Sequence, residues 1–199
     1  MFSPARHSSL RLDATPSLIF SNLSSNKDCI SFAHASSVHV LPCAAFQDVG
    51  NRQTSFRLQL GGSAPSPPGS GDGTSPASAD SITQVGIVSI NLGSFLVATT
   101  PSAFYVYPCA DFTSSQQYTP RPVFSRTLAD LGAHVLGDNK PEDHSFRGIA
   151  ACFEQNALLV GTSWGAILVW RVDSSVLTLA QVLTGGHKGS ITSIATERK

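Results

Sequence analysis

Charge is scarce in this 199-residue chain: 13% of its residues are charged, and thirteen Lys and Arg balance thirteen Asp and Glu. Without net charge there is no electrostatic footprint for nucleic acid or an anionic membrane. Long apolar runs are missing too. None approaches the roughly 18 residues of a membrane span, and the N-terminus has no apolar core of signal-peptide length. Arg6, Arg11 and several serines ahead of Asp13 faintly suggest a mitochondrial presequence, which the plainer intracellular expectation outweighs. No long stretch repeats at 3.6 residues, so helix should be scarce. The four cysteines, Cys29, Cys43, Cys109 and Cys152, include no C-x-x-C and have no His at ligand spacing. That argues against zinc, and we expect no metal, no cofactor and a reducing, cytoplasmic setting. Asn22-Leu23-Ser24 fits a glycosylation acceptor, a tripeptide without meaning unless the chain is secreted.

What the chain does have is repetition. A fourteen-residue pattern occurs as Cys29 to Pro42 (CISFAHASSVHVLP), Phe95 to Pro108 (FLVATTPSAFYVYP) and Leu158 to Arg171 (LLVGTSWGAILVWR). Each copy reads as an apolar run, a few turn-prone residues and a second run rich in β-branched or aromatic residues, which predicts a β-hairpin. The exits agree as well, Pro42-Cys43-Ala44 matching Pro108-Cys109-Ala110. In this alignment Ser163 falls opposite His34 and Thr100. Ala166 to Trp170 has no polar face, so a hairpin of this kind must be covered on both sides. The blades of a β-propeller, four-stranded sheets whose faces are buried by their neighbours, supply that cover.

The remaining strands are expected at Ser55 to Leu60, Ser81 to Val85, Arg147 to Ala151, Val176 to Leu183 and Ser190 to Ile194, with a further candidate at Pro122 to Phe124. The chain then divides into a first blade over 15–60, a flexible Gly/Ser/Pro-rich loop over 61–80, a second blade over 81–127, an irregular insertion over 128–146, a third blade over 147–184 and the start of a fourth over 185–199. The loop has no aliphatic residue larger than alanine and cannot offset the entropy of ordering itself. Its Pro65 to Pro68 satisfies P-x-x-P without a flanking basic residue, a poor SH3 ligand.

Gly186-His187, lying between a strand that ends at Leu183 and the segment Ser190 to Ala195, resembles the Gly-His junction of the WD-repeat β-propeller family, and Trp170 stands where that family closes a third strand with Trp-Asp. Arg171 replaces the Asp. The resemblance covers roughly residues 82 to 197. It implies an all-β fold and a hydrogen-bonded network of His, Ser or Thr, Trp and a turn Asp that fixes a hairpin. Matching positions are His144, Thr162 or Ser163, and Trp170, with Gly186 and His187 belonging to the following blade. No Asp occupies the turn at Ser163-Trp164-Gly165, so the network should be incomplete.

Three functions compete. Gly161-Thr162-Ser163-Trp164-Gly165 satisfies G-x-S-x-G, and Asp173 and His187 follow in the chain order of an α/β-hydrolase. That elbow needs a strand feeding a helix, whereas Ala-Ile-Leu-Val-Trp-Arg-Val predicts a strand, so no catalytic residue is assigned and an enzyme is not expected. The favoured reading is a protein-binding scaffold of the WD-repeat type; the alternative is a structural subunit of a multiprotein assembly. Trp164, in a turn, is the candidate contact for a protein partner, against the alternative that it packs beneath the neighbouring insertion; Phe112 and Tyr118 carry the same two readings. Three hairpins and one opening strand are fewer than a closed propeller needs, about four blades. The expectation is therefore an incomplete propeller, a fragment whose partners are other proteins, missing blades or further copies of itself.

Overall fold

The computed structural model describes residues 22–34, 36–43, 56–60, 81–113, 120–136 and 141–197. The Gly/Ser/Pro-rich loop over 61–80 and Tyr118 lie outside the described residues.

Among the described residues twelve strands form three separate four-stranded sheets, each an antiparallel meander of consecutive strands. The first holds β1 (Leu23–Ser25), β2 (Cys29–His34), β3 (Ser37–Pro42) and β4 (Phe56–Gln59). The second holds β5 (Gln84–Ile90), β6 (Gly93–Thr99), β7 (Ala103–Pro108) and β8 (Phe124–Thr127). The third holds β9 (Phe146–Cys152), β10 (Ala157–Thr162), β11 (Ile167–Val172) and β12 (Leu177–Leu183). Among the described residues helix is limited to α1 (Ala110–Thr113), α2 (Ala133–Leu136) and two short 3-10 turns. The described residues are all-β, in three four-stranded antiparallel sheets of the kind that propeller blades are made of.

The period of a strand explains why the blades stack. On β6, Phe95 and Val97 belong to a core shared with the third sheet, while Leu96 and Ala98 belong to a core shared with the first. On β7, Phe104 and Val106 face one way and Tyr105 and Tyr107 the other. Alternating side chains point to opposite faces, and here both faces are apolar, so the middle blade is buried on both. The two flanking cores are each made by a pair of blades. First strands lie on the inner side of the stack: β1 runs beside β5, and β5 beside β9.

The register corrects the alignment of the three copies. Cys29 pairs with Pro42 and Phe95 with Pro108, the first residue of each copy facing the last. In the third blade Arg171 pairs with Ala157, not Leu158. The third copy is therefore Ala157 to Arg171, with one extra residue in its turn. The faces agree: Leu158 and Trp170 point toward the second blade as Leu96 and Tyr107 point toward the first. A slip of one residue exchanges the faces, so the match of Ser163 to Thr100 is replaced by Thr162 to Thr100.

Ser190 to Ile194, expected as a strand, joins no ladder. A strand needs a neighbour for its alternate amides and carbonyls, and none of the described strands pairs with it. The segment nevertheless lies against the third blade, Ile191 N–H donating to Thr162 O at 2.9 Å and the Thr196 hydroxyl to Ala151 O at 2.6 Å.

Candidate functional site

The hairpin turn between β10 and β11 gathers Thr162, Ser163 and Trp164 from the residues singled out in the sequence. The Thr162 hydroxyl donates to Ala166 O at 2.8 Å and accepts Ala166 N–H at 3.0 Å. Thr100 makes the same pair of bonds with Ala103 in the second blade, at 3.2 and 3.0 Å. Gly165 sits at φ +87, a conformation costly for any residue with a Cβ, and a Cβ there would lie 2.5 Å from His187 O. The chain after the third blade thus presses on the turn. Gly161 serves a similar approach from the other side, since a Cβ on it would collide with Arg147 O and Ile191.

Ser163 clips the turn to the chain that enters β9. Its amide donates to Ser145 O at 2.9 Å, Ser145 N–H donates to Ser163 Oγ at 3.0 Å, and Oγ lies 3.4 Å from His144 Nδ1. The His144 ring rests on Trp164 with centroids 4.7 Å apart. His144 Nε2 and Trp164 Nε1 are both buried without a protein acceptor. Trp164 is half-buried against the core between the second and third blades rather than open to solvent, because the end of the preceding insertion covers it. Phe112 is fully buried, packed on Phe56 and Tyr107 between the first and second blades.

The expected four-membered network does not close. Trp170 is 3% exposed, its ring 5.4 Å from Phe104, and its indole N–H has no acceptor. Its register partner is Leu158, four residues before the end of β10, so it lies down the strands from His144 and Ser163. Gly186 and His187 are exposed. The turn at Ser163 leads through Gly165 into strand β11, so the strand-turn-helix geometry of a nucleophile elbow is not formed there. Among the described residues no group of three or more His, Cys, Asp or Glu could hold a metal ion, and no helix is long and apolar enough to cross a membrane.

Sequence reasoning missed the polar groups that join blades. Gln84, buried in β5, accepts Gly148 N–H at 2.6 Å, and the Thr83 hydroxyl donates to Phe146 O at 2.9 Å. Asn156, at φ 49, accepts Asn91 N–H at 3.0 Å. Arg126 donates to Leu177 O at 2.8 Å, and Ile87 N–H donates to Ser24 Oγ at 2.9 Å. Each partner is remote in sequence; a buried Gln in an otherwise apolar strand was the one available signal. It also missed a cleft of about 390 Å³ on the inner side of the stack. β5, β9 with residues 153–154 after it, and residues 194–197 line it, with Ile87, Ile149, Phe153 and Ile194 among its apolar side chains and Glu154 and Glu197 as its carboxylates.

Comparison with known proteins adds little. No family model and no curated protein matches the chain. A chain in the crystal structure of the mitotic checkpoint complex is similar at 14% identity and a TM-score of 0.39, over 97% of this chain and 65% of that one. This chain thus spans less than two thirds of that neighbour's length, and a likeness of that size says nothing about what it binds.

Proposed function

We propose that this chain is a non-enzymatic protein–protein interaction scaffold of the WD-repeat type and part of a larger propeller. The segments Ile82 to Val85, Phe146 to Ala151, Val160 to Thr162 and Gly186 to Glu197 resemble the N-terminal half of WD repeat-containing protein 54, and a relationship to that protein belongs to the same proposal. The observation that carries the reading is the use made of the third-blade turn. Thr162, Ser163 and Gly165, the residues that could have served chemistry, are all engaged in closing the hairpin or clipping it to neighbouring chain. What stays open to a partner is the inner cleft, whose isoleucines and two carboxylates suit a peptide with apolar and basic residues. Strands β5 and β9 form two of its walls, which keeps the ordering cost of binding low on that side. Trp164 at the turn is the second candidate contact. Reducing intracellular surroundings and a role as a structural subunit beside further blades are compatible parts of this proposal.

Affinity capture from cell extract with the intact chain and with a Glu154→Lys/Glu197→Lys variant tests it, read by mass spectrometry. The expected result is a small set of proteins lost from the variant. Recovery of the same proteins by both would remove the cleft from the proposal, leaving a Trp164→Ala variant to test the turn. Labelling of Ser163 by a serine-directed fluorophosphonate would overturn the non-enzymatic reading.

A further inference from the structure

Residues 187–197 belong to no sheet, yet they are seated on the third blade. Ile191 is 5% exposed, its N–H donates to Thr162 O at 2.9 Å, and further along the Thr196 hydroxyl donates to Ala151 O at 2.6 Å. The blade leaves room for this segment. A Cβ on Gly161 would come within 2.5 Å of Ile191, a Cβ on Gly148 within 3.1 Å of Ile191 and 3.2 Å of Ile194, and a Cβ on Gly165 within 2.5 Å of His187 O. Gly148 lies in β9, Gly161 in β10 and Gly165 in the turn before β11, so the seat spans the blade. The chain that leads from β12 to the seat is of another kind. Residues 183–190 are exposed, Gly185 stands at φ +86, and a Cβ on Gly185, Gly186 or Gly189 would meet nothing within 4 Å. Glycine takes an extended conformation as readily as the left-handed one, so this linker can fold back or run straight. Fully extended, Thr184 to Gly189 reaches about 20 Å.

We propose that residues 187–197 are an exchangeable arm, which seats on its own third blade or, reciprocally, on the third blade of a second copy of this chain. The partner is a second copy because the structure shows the occupant that the seat fits. It is this segment, with Ile191 against Gly148 and Gly161 and Thr196 on Ala151 O, and every copy carries both halves of the contact. The contacts made in exchange are those of the closed chain, so exchange costs little beyond association itself and increases with concentration. The arm also supplies a wall of the inner cleft. Ile194 and Glu197 come from it, whereas Ile87, Ile149, Phe153 and Glu154 come from the blades. In the exchanged dimer each cleft is therefore built from both chains. This goes beyond the scaffold reading and does not depend on what the cleft binds.

Sedimentation velocity on the full chain over a range of concentrations tests the exchange, with circular dichroism to check the folding of every variant. The expected result is a monomer–dimer equilibrium. Gly185→Ala should raise the dimer association constant at least about fivefold, because a Cβ disfavours the folded-back linker at φ +86 and not the extended one. Two further variants separate exchange from association through another surface. Ile191→Asp spoils the arm and leaves the seat; Gly165→Asn obstructs the seat and leaves the arm, Asn being tolerated at positive φ. Each should be monomeric by itself. Their equimolar mixture should give a heterodimer by native mass spectrometry, since the intact arm of one meets the intact seat of the other and neither has to be displaced. A native chain and a Gly185→Ala variant that both stay monomeric, single variants that dimerise as well as the native chain, or a mixture without heterodimer would each overturn the proposal.

Discussion

The interface between the second and third blades differs from that between the first and second, and the difference shows two ways of joining sheets. Between the second and third, large rings interlock: Phe104 lies 5.3 Å from Phe146 and 5.4 Å from Trp170. Polar bonds from Gln84, Thr83, Asn156 and Arg126 surround them. Between the first and second, Phe112 lies 5.6 Å from Phe56 and 6.3 Å from Tyr107, beside smaller groups that include Cys29, Val38, Val40, Ala98 and Cys109. The Ile87 N–H to Ser24 Oγ bond is a polar link between them. Four directional bonds hold the second and third blades in one register, and an interface with fewer of them resists sliding less. The first interface should therefore yield before the second.

The largest effect that could break this contrast comes from Phe104→Ala, which empties the aromatic centre and should cost about 3–5 kcal/mol in urea unfolding. Leu96→Ala, on the opposite face of the same blade, should cost about 2–4 kcal/mol by the same measurement. If the Leu96 variant proved the more damaging, the ranking of the interfaces would be reversed. Gln84→Ala leaves the buried Gly148 N–H without its acceptor and should cost about 1–3 kcal/mol, with faster amide exchange at Gly148. Ser24→Ala removes the corresponding link to Ile87 and should cost about 0.5–1.5 kcal/mol; equality with Gln84→Ala would mean the two interfaces are pinned alike.

A pH dependence sharpens the same point with a smaller effect. Burial pushes the Tyr107 phenol, at the first interface, up to about 12, with Tyr105 adding to the shift. The folded state then holds a proton that the unfolded chain gives up near pH 10. The stabilisation is complete below pH 10 and is lost as pH rises from there toward 12. Unfolding followed over that range should show stability falling, and Tyr107→Phe should remove that part of the fall.

Hairpins were readable because apolar runs flanking turn residues leave a local mark, and two of the three copies aligned residue for residue with the observed register. The third did not, because an extra residue in a turn leaves the hydrophobic pattern almost unchanged while shifting which residue faces which blade. Thr162, not Ser163, therefore does the work of Thr100, and the likeness of Ser163 to a nucleophile dissolves into a clip to Ser145 and His144. Ser190 to Ile194 carried a strand's composition but has no ladder to complete. Trp164 had two readings in sequence, an open contact or a ring packed beneath the neighbouring insertion, and a turn by itself does not choose between them, because the covering His144 comes from a separate segment.

By itself the sequence determined the all-β class, the hairpins and the need for apolar cover on both faces, since these follow from periodicity and side-chain chemistry within a few residues. Tertiary structure alone decided the contacts that depend on remote chain meeting: Gln84 with Gly148, Asn91 with Asn156, and the inner cleft between β5, β9 and residues 194–197. The reason is physical. A strand's alternation records which residues must be buried, but not which other strand will bury them.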